Sequence, residues 1–320
     1  MSFYANRNGS NSNNCSDNSD IKIGNLTSLI TTNKTNLVGA INENKSQLTE
    51  ITNQVGSGGA IINDATPSAM TVYSSNKINS KFKDISINIR DFGGVGDGTF
   101  DNTTAVQNAF TALIATDGGI LDFPSGSYVL QPISIPTSVI LRGMGQANTS
   151  LKLKNNSNAD FLTFDQASYS GVKDMSINGN KSYNSIGSGI TLKNSKNASK
   201  DNSRNLDIQN LLITNCKENG IKVVDSDVWI FQLRHIKVDN CDGYAVWNAS
   251  TDNAFAFIDA WNCKKGAYYE CGCNNRWTCG KIYECGSDNH NTGAITLKDA
   301  ERIIMSDFDI QDNYGHGIFN

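Results

Sequence analysis

Three acidic residues in the last third of the chain lie close to a repeated cysteine position. They are Asp239, Asp259 and Glu284, which stand two, four and one residues before their cysteines. Acid–base cleavage of a glycosidic bond requires two carboxylates roughly 5–10 Å apart. We therefore take these three as candidate catalytic residues, although each by itself also fits a solvated surface acid. The sequence does not decide between a hydrolase, a lyase and a protein without catalysis.

Aromatic residues are concentrated in the same region, between residues 244 and 283. The candidate carbohydrate-binding residues are Trp247, Trp261, Tyr268 and Tyr283. Trp261 and Tyr283 both lie two residues before a cysteine, a position that should face outward. Exposed rings can stack on the faces of sugars. They suit a subunit interface equally well, and both interpretations stay open.

No combination of residues predicts a metal or cofactor site. Cys271, Cys273 and Cys279 have a Cys-x-Cys-x5-Cys spacing that is unusual for structural zinc. The three histidines share no metal-ligand spacing. The Gly-x-Gly-Asp-Gly segment at 94–98 lacks the lysine and the spacing of a phosphate-binding loop.

The same cysteines mark an internal repeat. A short phrase, in most copies Asn-Cys followed by a glycine, returns at intervals of 25, 22 and 22 residues, at Cys216, Cys241, Cys263 and Cys285. A fixed period in this range is typical of a solenoid, in which each supersecondary unit stacks on the next. We expect the repeated thiols to be reduced and to pack as small apolar residues.

The composition of each repeat indicates which solenoid this is. Before each cysteine, apolar residues alternate with others, as in Leu211 and Ile213, which indicates a strand with one buried face. A second short strand follows each glycine, and no stretch has helical spacing over ten residues. The pattern predicts an all-β parallel β-helix. We expect the asparagines before the cysteines to form an inward ladder, with each side-chain amide bonded to the next.

Composition excludes several classes of partner. The net charge is −4, charged residues make up 18% of the chain, and no basic patch predicts nucleic-acid binding. No apolar run is long enough to insert in a membrane. The first residues lack the apolar centre of a signal peptide, so we expect no export by that route. The 42 asparagines give a neutral, hydrogen-bonding surface that suits sugars.

Changes in composition divide the chain into five segments. An Asn/Ser-rich start is expected to be flexible or ordered only by a partner, and a helical segment with a Gly-rich linker comes next. A short attachment module precedes the β-helix cap and the β-helix itself. The boundaries that we predict are 1–24, 25–59, 60–85, 86–145 and 146–320.

The helical segment has the spacing of a coiled coil. Steps of four and three residues run over about three heptads through Leu37, Ile41, Asn44, Leu48, Ile51 and Val55. A single asparagine on such a stripe fixes the register at a cost in stability. A coiled coil is favoured over a helix packed on a globular neighbour, because little apolar sequence lies nearby.

Residues 87–145 predict a cap for the β-helix. A strand leads into a Gly/Asp-rich loop, and a helix carrying Val106, Phe110, Leu113 and Ile114 follows. A helix lying across the open end of a β-helix would cover its exposed edge. In that arrangement Asp97 and Asp101 would bond loop amides and would not act on a substrate.

This segment resembles the N-terminal signature of the pectate-lyase-like superfamily, which is common in phage tail spikes. Two departures are Gly94, where the signature has alanine, and Asn102, where it has a second aspartate. Segments 29–43 and 64–78 are similar to segments found in phage tail and baseplate proteins. The residues that match the signature are Asp91-Phe92-Gly93, Gly96-Asp97-Gly98, Asp101, Thr103, Ala105, Gln107, Phe123-Pro124, Gly126, Tyr128, Gly143 and Gly145.

The resemblance implies a right-handed parallel β-helix of the pectin-lyase type and a homotrimer attached to the virion by its N-terminus. Its implied partners are copies of itself, other tail proteins through residues 1–85, and a host surface glycan such as teichoic acid or capsule. Such a protein is made in the bacterial cytoplasm and carried in the virion tail. A purely structural spike or stalk is the alternative. The chain ends within a repeat, at Asn320, and we expect the β-helix to continue beyond it.

Overall fold

The described structure comprises one N-terminal helix and a solenoid of parallel strands. It is a computed structural model that describes residues 37–55, 86–194, 205–226, 228, 231–287 and 293–320. The chain divides into two units, residues 1–79 and 80–320, and each is described by itself. The predictions for 1–24, for the Gly-rich linker and for 60–85 lie outside the described residues.

The first unit contains helix α1, Leu37–Val55, so the predicted helix is confirmed over these residues. Two apolar residues of the predicted seam, Ile41 and Leu48, are 55% and 65% exposed. Asn44 lies between them and is also exposed. Exposed apolar side chains stabilise a fold only when a partner covers them. The coiled coil therefore stays a prediction.

Among the residues that the structure describes, the second unit contains a 3-10 helix, Ile89–Phe92, a second α-helix and twenty strands. The strands fall into long and short sets that alternate along the chain. The elements are β1 Ile87–Asn88, β2 Asp97–Asp101, α2 Thr103–Ile114, β3 Gly119–Asp122, β4 Gly126–Leu130, β5 Ile133–Ser134, β6 Val139–Arg142, β7 Thr149–Leu153, β8 Leu162–Asp165, β9 Gly171–Asn178, β10 Ile190–Lys193, β11 Asp207–Thr214, β12 Ile221–Val223, β13 Gln232–Asp239, β14 Tyr244–Asn248, β15 Ala254–Trp261, β16 Gly266–Glu270, β17 Arg276–Tyr283, β18 Gly293–Leu297, β19 Ile304–Gln311 and β20 His316–Phe319.

Two parallel sheets run along the solenoid. The long sheet has twelve strands in the order β1-β3-β6-β9-β11-β13-β15-β17-β19, with β2, β4 and β7 beside this path. The short sheet has eight, in the order β5-β8-β10-β12-β14-β16-β18-β20. From β9 onward each coil gives one strand to each sheet and pairs in parallel with the coils before and after it. The predicted right-handed parallel β-helix is confirmed.

Each long strand from β9 to β19 is bent near its middle by one residue with a left-handed backbone. The bend reverses the alternation of inward and outward side chains, so each long strand covers two faces of the coil. These residues stack along the solenoid and have φ between 52° and 62°; they are Asp174, Asn210, His235, Phe257, Cys279 and Asp307.

The interior is a continuous apolar core that contains the repeated thiols. Cys216, Cys241, Cys263 and Cys285 are fully buried, and all seven cysteines in the described part of the chain are free. The neighbouring thiols and burial raise the pKa values of Cys216 and Cys263 well above the ordinary value of a cysteine thiol. The prediction that these thiols are packing residues is confirmed for the described structure.

Helix α2 forms the predicted cap. It buries Val106, Phe110 and Leu113 against the 3-10 helix and the first coils, whereas Ile114 is exposed. Oδ1 of Asp97 accepts hydrogen bonds from two loop amides, both at 2.8 Å.

The loop also explains why asparagine stands at position 102. The side chain of Asn102 is fully buried, and its Nδ2 donates to the carbonyl oxygens of Val95 and Phe100 at 3.0 and 2.8 Å. An ionised aspartate has no proton to donate to either carbonyl.

Candidate functional site

The last residues of four consecutive long strands form one row on the outside of the solenoid. Asp239, Trp261, Tyr283 and Gln311 are in register at the ends of β13, β15, β17 and β19. Parallel neighbours lie about 4.8 Å apart, so the carboxylate and the two rings are adjacent. The row joins one candidate acid to two of the candidate aromatic residues, and all three are half-buried.

The turn that follows this row uses left-handed backbone in every coil. Asn240, Asn262 and Glu284 have φ of 58°, 49° and 50°. Asparagine tolerates this conformation well, because its short side chain bonds locally. Nδ2 of Asn240 donates to Oδ1 of Asn215 at 2.7 Å, and Nδ2 of Asn262 donates to Oδ1 of Asp239 at 3.0 Å.

The ladder before the cysteines is therefore on the surface, and the inward ladder predicted there is wrong. The left-handed backbone turns these side chains outward while the next residue, cysteine, points into the core. A buried asparagine pair does exist one turn away. The main-chain N of Asn253 donates to Oδ1 of Asn275 at 3.0 Å, and both side chains are buried.

A shallow groove of about 410 Å³ adjoins the row. It brings Asp239 and Glu284 together although 45 residues separate them in the chain. The Glu284 carboxylate raises the pKa of the neighbouring Tyr283 hydroxyl. The groove is lined by Asp239, Asn240, Asn262, Lys264, Glu284, Gly286 and Tyr314.

Asp259 does not line this groove. It lies on the coil next to that of Asp239, but its partner across the strands is Lys237, and Asp239 faces Trp261. Oδ1 of Asp259 accepts the main-chain N–H of Lys281 at 3.1 Å. Asp259 is therefore offset by two residues from the position beside Asp239, and its catalytic role stays a prediction.

The remaining candidate aromatic residues lie elsewhere. Tyr268 is fully buried, and its hydroxyl donates to the Ile258 carbonyl oxygen, so the prediction that it binds carbohydrate is wrong. Trp247 is on the short sheet, where its ring stacks on Tyr269 at 5.8 Å between centroids. The four candidate aromatic residues therefore do not lie on one face of the solenoid.

Asp242, in the turn between β13 and β14, is an ion-pair centre. Its carboxylate forms ion pairs with the Nζ atoms of Lys181, Lys217 and Lys264, at 3.0, 3.0 and 2.7 Å. Burial alone would raise the pKa of Asp242, but the three ammonium groups lower it well below its ordinary value. This acid ties its own coil to three others and is not free to exchange protons with a ligand.

The sequence did not identify Glu270 as a buried carboxylate. Glu270 is fully buried and accepts hydrogen bonds from Asn248 Nδ2 at 3.0 Å, Gly272 N at 2.7 Å, Asn275 Nδ2 at 3.2 Å and Trp277 Nε1 at 2.7 Å. Burial raises the pKa of Glu270 although these donors favour the charged form. It is enclosed by protein and cannot reach a ligand.

The site contains no recognisable metal centre. Among the residues that the structure describes, no three His, Cys, Asp or Glu side chains are close enough to hold an ion. In the same residues no helix is both long and apolar enough to cross a bilayer.

The fold and the outward row define a parallel β-helix protein of the pectate-lyase-like class. Residues 86–319 match the family described as rhamnogalacturonase A/epimerase, pectate lyase-like. The match covers more than half of the chain, which therefore belongs to this family.

Individual relatives share the fold at low identity. The tailspike protein 2 enzymatically active domain of bacteriophage CBA120 has a TM-score of 0.64 at 18% identity, over 73% of this chain and 36% of that one. ORF18 of Geobacillus virus E2 has a TM-score of 0.55 at 19% identity, over 73% of this chain and 52% of that one.

A curated relative is mannuronan C5-epimerase AlgE5 of Azotobacter vinelandii, 31% identical over 108 residues. The matched region is 29% of this chain and 11% of the epimerase. The chain thus spans a small part of that relative and no more than about half of either phage structure.

Proposed function

We propose that this protein is a bacteriophage tail spike or tail appendage that attaches by its N-terminal region and recognises a host cell-surface polysaccharide. The β-helix shared with two phage proteins supports this, as do the tail-like segments 29–43 and 64–78. Teichoic acid and capsule are the glycans we propose.

One observation carries the glycan-binding part of the proposal. The row of Asp239, Trp261 and Tyr283 places two rings beside a groove that contains two carboxylates. Rings hold the apolar faces of sugars, and the surrounding amides suit hydroxyl groups. A chain of sugars lying along the row would contact equivalent positions of successive coils.

The same groove offers a geometry for hydrolysis. Asp239 and Glu284 stand on coils two apart, which places their strands roughly 9.6 Å apart. Inverting cleavage uses two carboxyl groups about 6.5–9.5 Å apart, one to protonate the leaving oxygen and the other to activate water. We propose Asp239 and Glu284, which line the same groove, as this pair if the spike is a depolymerase.

Trp261→Ala tests glycan binding. We expect a loss of affinity for the host glycan of about fivefold or more, because a stacked ring contributes about 1 kcal/mol or more. Calorimetric titration with purified host capsule and teichoic acid measures the effect.

Phe257→Ala is the matched control, since Phe257 is an exposed ring on the same strand that lies outside the row of Asp239, Trp261 and Tyr283. If Trp247→Ala weakens binding and Trp261→Ala does not, the ligand uses the short sheet and the proposed groove is wrong. Release of new reducing ends by the wild type but not by Glu284→Gln would identify a depolymerase. If no host glycan binds, the structural-stalk alternative replaces this proposal.

We also propose a homotrimer, assembled through the exposed stripe of α1. Asn44 lies on that stripe between Ile41 and Leu48, so Asn44→Leu should raise the thermal stability of the assembly and loosen its register. Sedimentation equilibrium should give three times the chain mass for the wild type. Ser46→Ala, on the face of the helix opposite the stripe, should change neither property, and a monomer at micromolar concentration would contradict the proposal.

A further inference from the structure

A second groove lies at the opposite end of the long strands from the Asp239 row. It encloses about 610 Å³, within the range of small-molecule sites, and spans several successive coils. About seven residues, roughly 20 Å of strand, separate the two grooves. The lining residues that face a ligand here include Gln232, Ala254, Asn274, Arg276, Arg302 and Ile304.

The depression comes from the register of the first strand residues. Gln232, Ala254 and Arg276 are neighbours across β13, β15 and β17, so a small side chain lies between two long ones. Ile304 continues the row on β19 and is 54% exposed. The row therefore presents an apolar patch beside a guanidinium and an amide.

The rim of the groove is held by the buried asparagines. Asn253 Oδ1 accepts the Phe231 N–H at 3.0 Å, and Asn275 accepts from Asn253 at the same distance. Asn274 and Arg302 lie two residues before strands β17 and β19. Their φ values are 56° and 55°, and both side chains are exposed. The rim is thus fixed before any ligand arrives.

The acids near this groove are already engaged. Asp207 lies 3.7 Å from Nζ of Lys173 and 3.7 Å from Nη2 of Arg234. Asp252 accepts a hydrogen bond from Nδ2 of Asn274.

The two arginines differ from these acids. Arg276 and Arg302 are exposed, and neither has a carboxylate within 4.0 Å among the residues that the structure describes. Two guanidinium groups in one groove, with five N–H donors each, suit a planar or tetrahedral anion.

We propose that this groove binds an anionic unit of a sugar chain, with Arg276 and Arg302 contacting its carboxylate or phosphate group. Ile304 would meet the apolar face of the ring, and the amides of Gln232 and Asn274 would bond its hydroxyls. Charged hydrogen bonds of this kind are about twice as strong as neutral ones. This inference extends the proposed glycan recognition to a second groove, and its test depends on Arg276 and Arg302, whereas the test of the first groove depends on Trp261.

The test is titration of the full chain with three polymers at low salt. Hyaluronan oligosaccharides carry carboxylates, poly(glycerol phosphate) carries phosphates, and dextran is neutral. We expect binding of at least one anionic polymer, no comparable binding of dextran, and a loss of at least tenfold in Arg276→Gln/Arg302→Gln. Whichever anionic polymer binds identifies the charged group.

Lys152→Gln/Lys265→Gln removes the same charge away from the groove and should leave affinity within a factor of two. Circular dichroism melting checks that both double variants fold, and Arg302→Lys should retain part of the affinity because it keeps the charge without the fork. Equal losses in the two double variants, equal binding of dextran, or no binding of either anionic polymer would overturn the proposal.

Discussion

Glu270→Leu should lower the free energy of unfolding by about 3–5 kcal/mol, because several buried donors lose their acceptor at about 1–3 kcal/mol each. The variant leaves the donors of Asn248, Gly272 and Trp277 without an acceptor inside the core. A leucine side chain suits this position of the short sheet, because Leu297 occupies the equivalent position on the next coil. Equilibrium unfolding in guanidinium at pH 7 measures the change.

A double-mutant cycle separates the lost hydrogen bonds from lost volume. Trp277→Phe removes one of the donors, so its cost and that of Glu270→Leu should sum to more than the cost of the double variant. Strict additivity would mean that the network does not hold this part of the core together.

Comparing the wild type with Glu270→Leu at different pH values gives a test whose direction can be predicted. Because the pKa of Glu270 is raised above its ordinary value of 4.5, the folded protein binds this proton more tightly than the unfolded chain. The contribution of Glu270 is therefore complete below pH 4.5 and declines as pH rises through the folded-state pKa. The stability difference between wild type and Glu270→Leu should be larger at pH 4 than at pH 7.

Gly272→Ala should destabilise the protein by about 3 kcal/mol, at the upper end for an overpacked core. A Cβ at position 272 would lie 1.9 Å from the main-chain oxygen of Ser250 on the preceding coil, so backbone must move. The change also displaces the amide that donates to Glu270. The midpoint of guanidinium unfolding reports the loss.

Gly317→Ala is the matched control for that substitution. A Cβ at Gly317 meets nothing within 4 Å, and the backbone there is not left-handed. Its stability should stay within about 0.5 kcal/mol of wild type, as for most surface substitutions. Equal effects at the two glycines would show that the close approach of the coils at Gly272 does not constrain the fold.

The buried polar network has a consequence for how the proposed sites are held. The asparagines at 253 and 275 bond the turns that carry the Arg276 groove, and Asn275 also bonds Glu270. Loosening this network should therefore affect the arginine groove before it affects the Asp239 row. The Asp239 row is fixed instead by its own surface ladder and by the lysines around Asp242.

The period of the cysteines and the alternation before them were enough to predict a parallel β-helix. Each coil places the same sequence position in the same environment, so a buried position repeats as a small or apolar residue. Cys241 and Cys263 follow this rule, as do Ile236 and Ile258. The cap was predictable for a similar reason, because Val106 and Phe110 lie on one face of a helix.

Other features depend on register, which the sequence does not express. Tyr268 and Tyr269 are adjacent, and only the alignment of Val246 with Tyr268 places one ring inside and the other outside. Phe257 and the other left-handed residues reverse the alternation within one strand. A prediction that alternates buried and exposed residues across such a bend assigns the residues beyond it to the wrong face of the strand.

The sequence by itself determined that this chain is a stack of similar coils with a capped end, because burial repeats with the period of the coil. Only the tertiary structure decided which side chains meet. Asp239 and Glu284 share a groove, Asp259 is bonded to the next coil, and Glu270 lies in the core. Those outcomes follow from lateral register and left-handed turns, which are set by hydrogen bonds between coils rather than by the residues of any one coil.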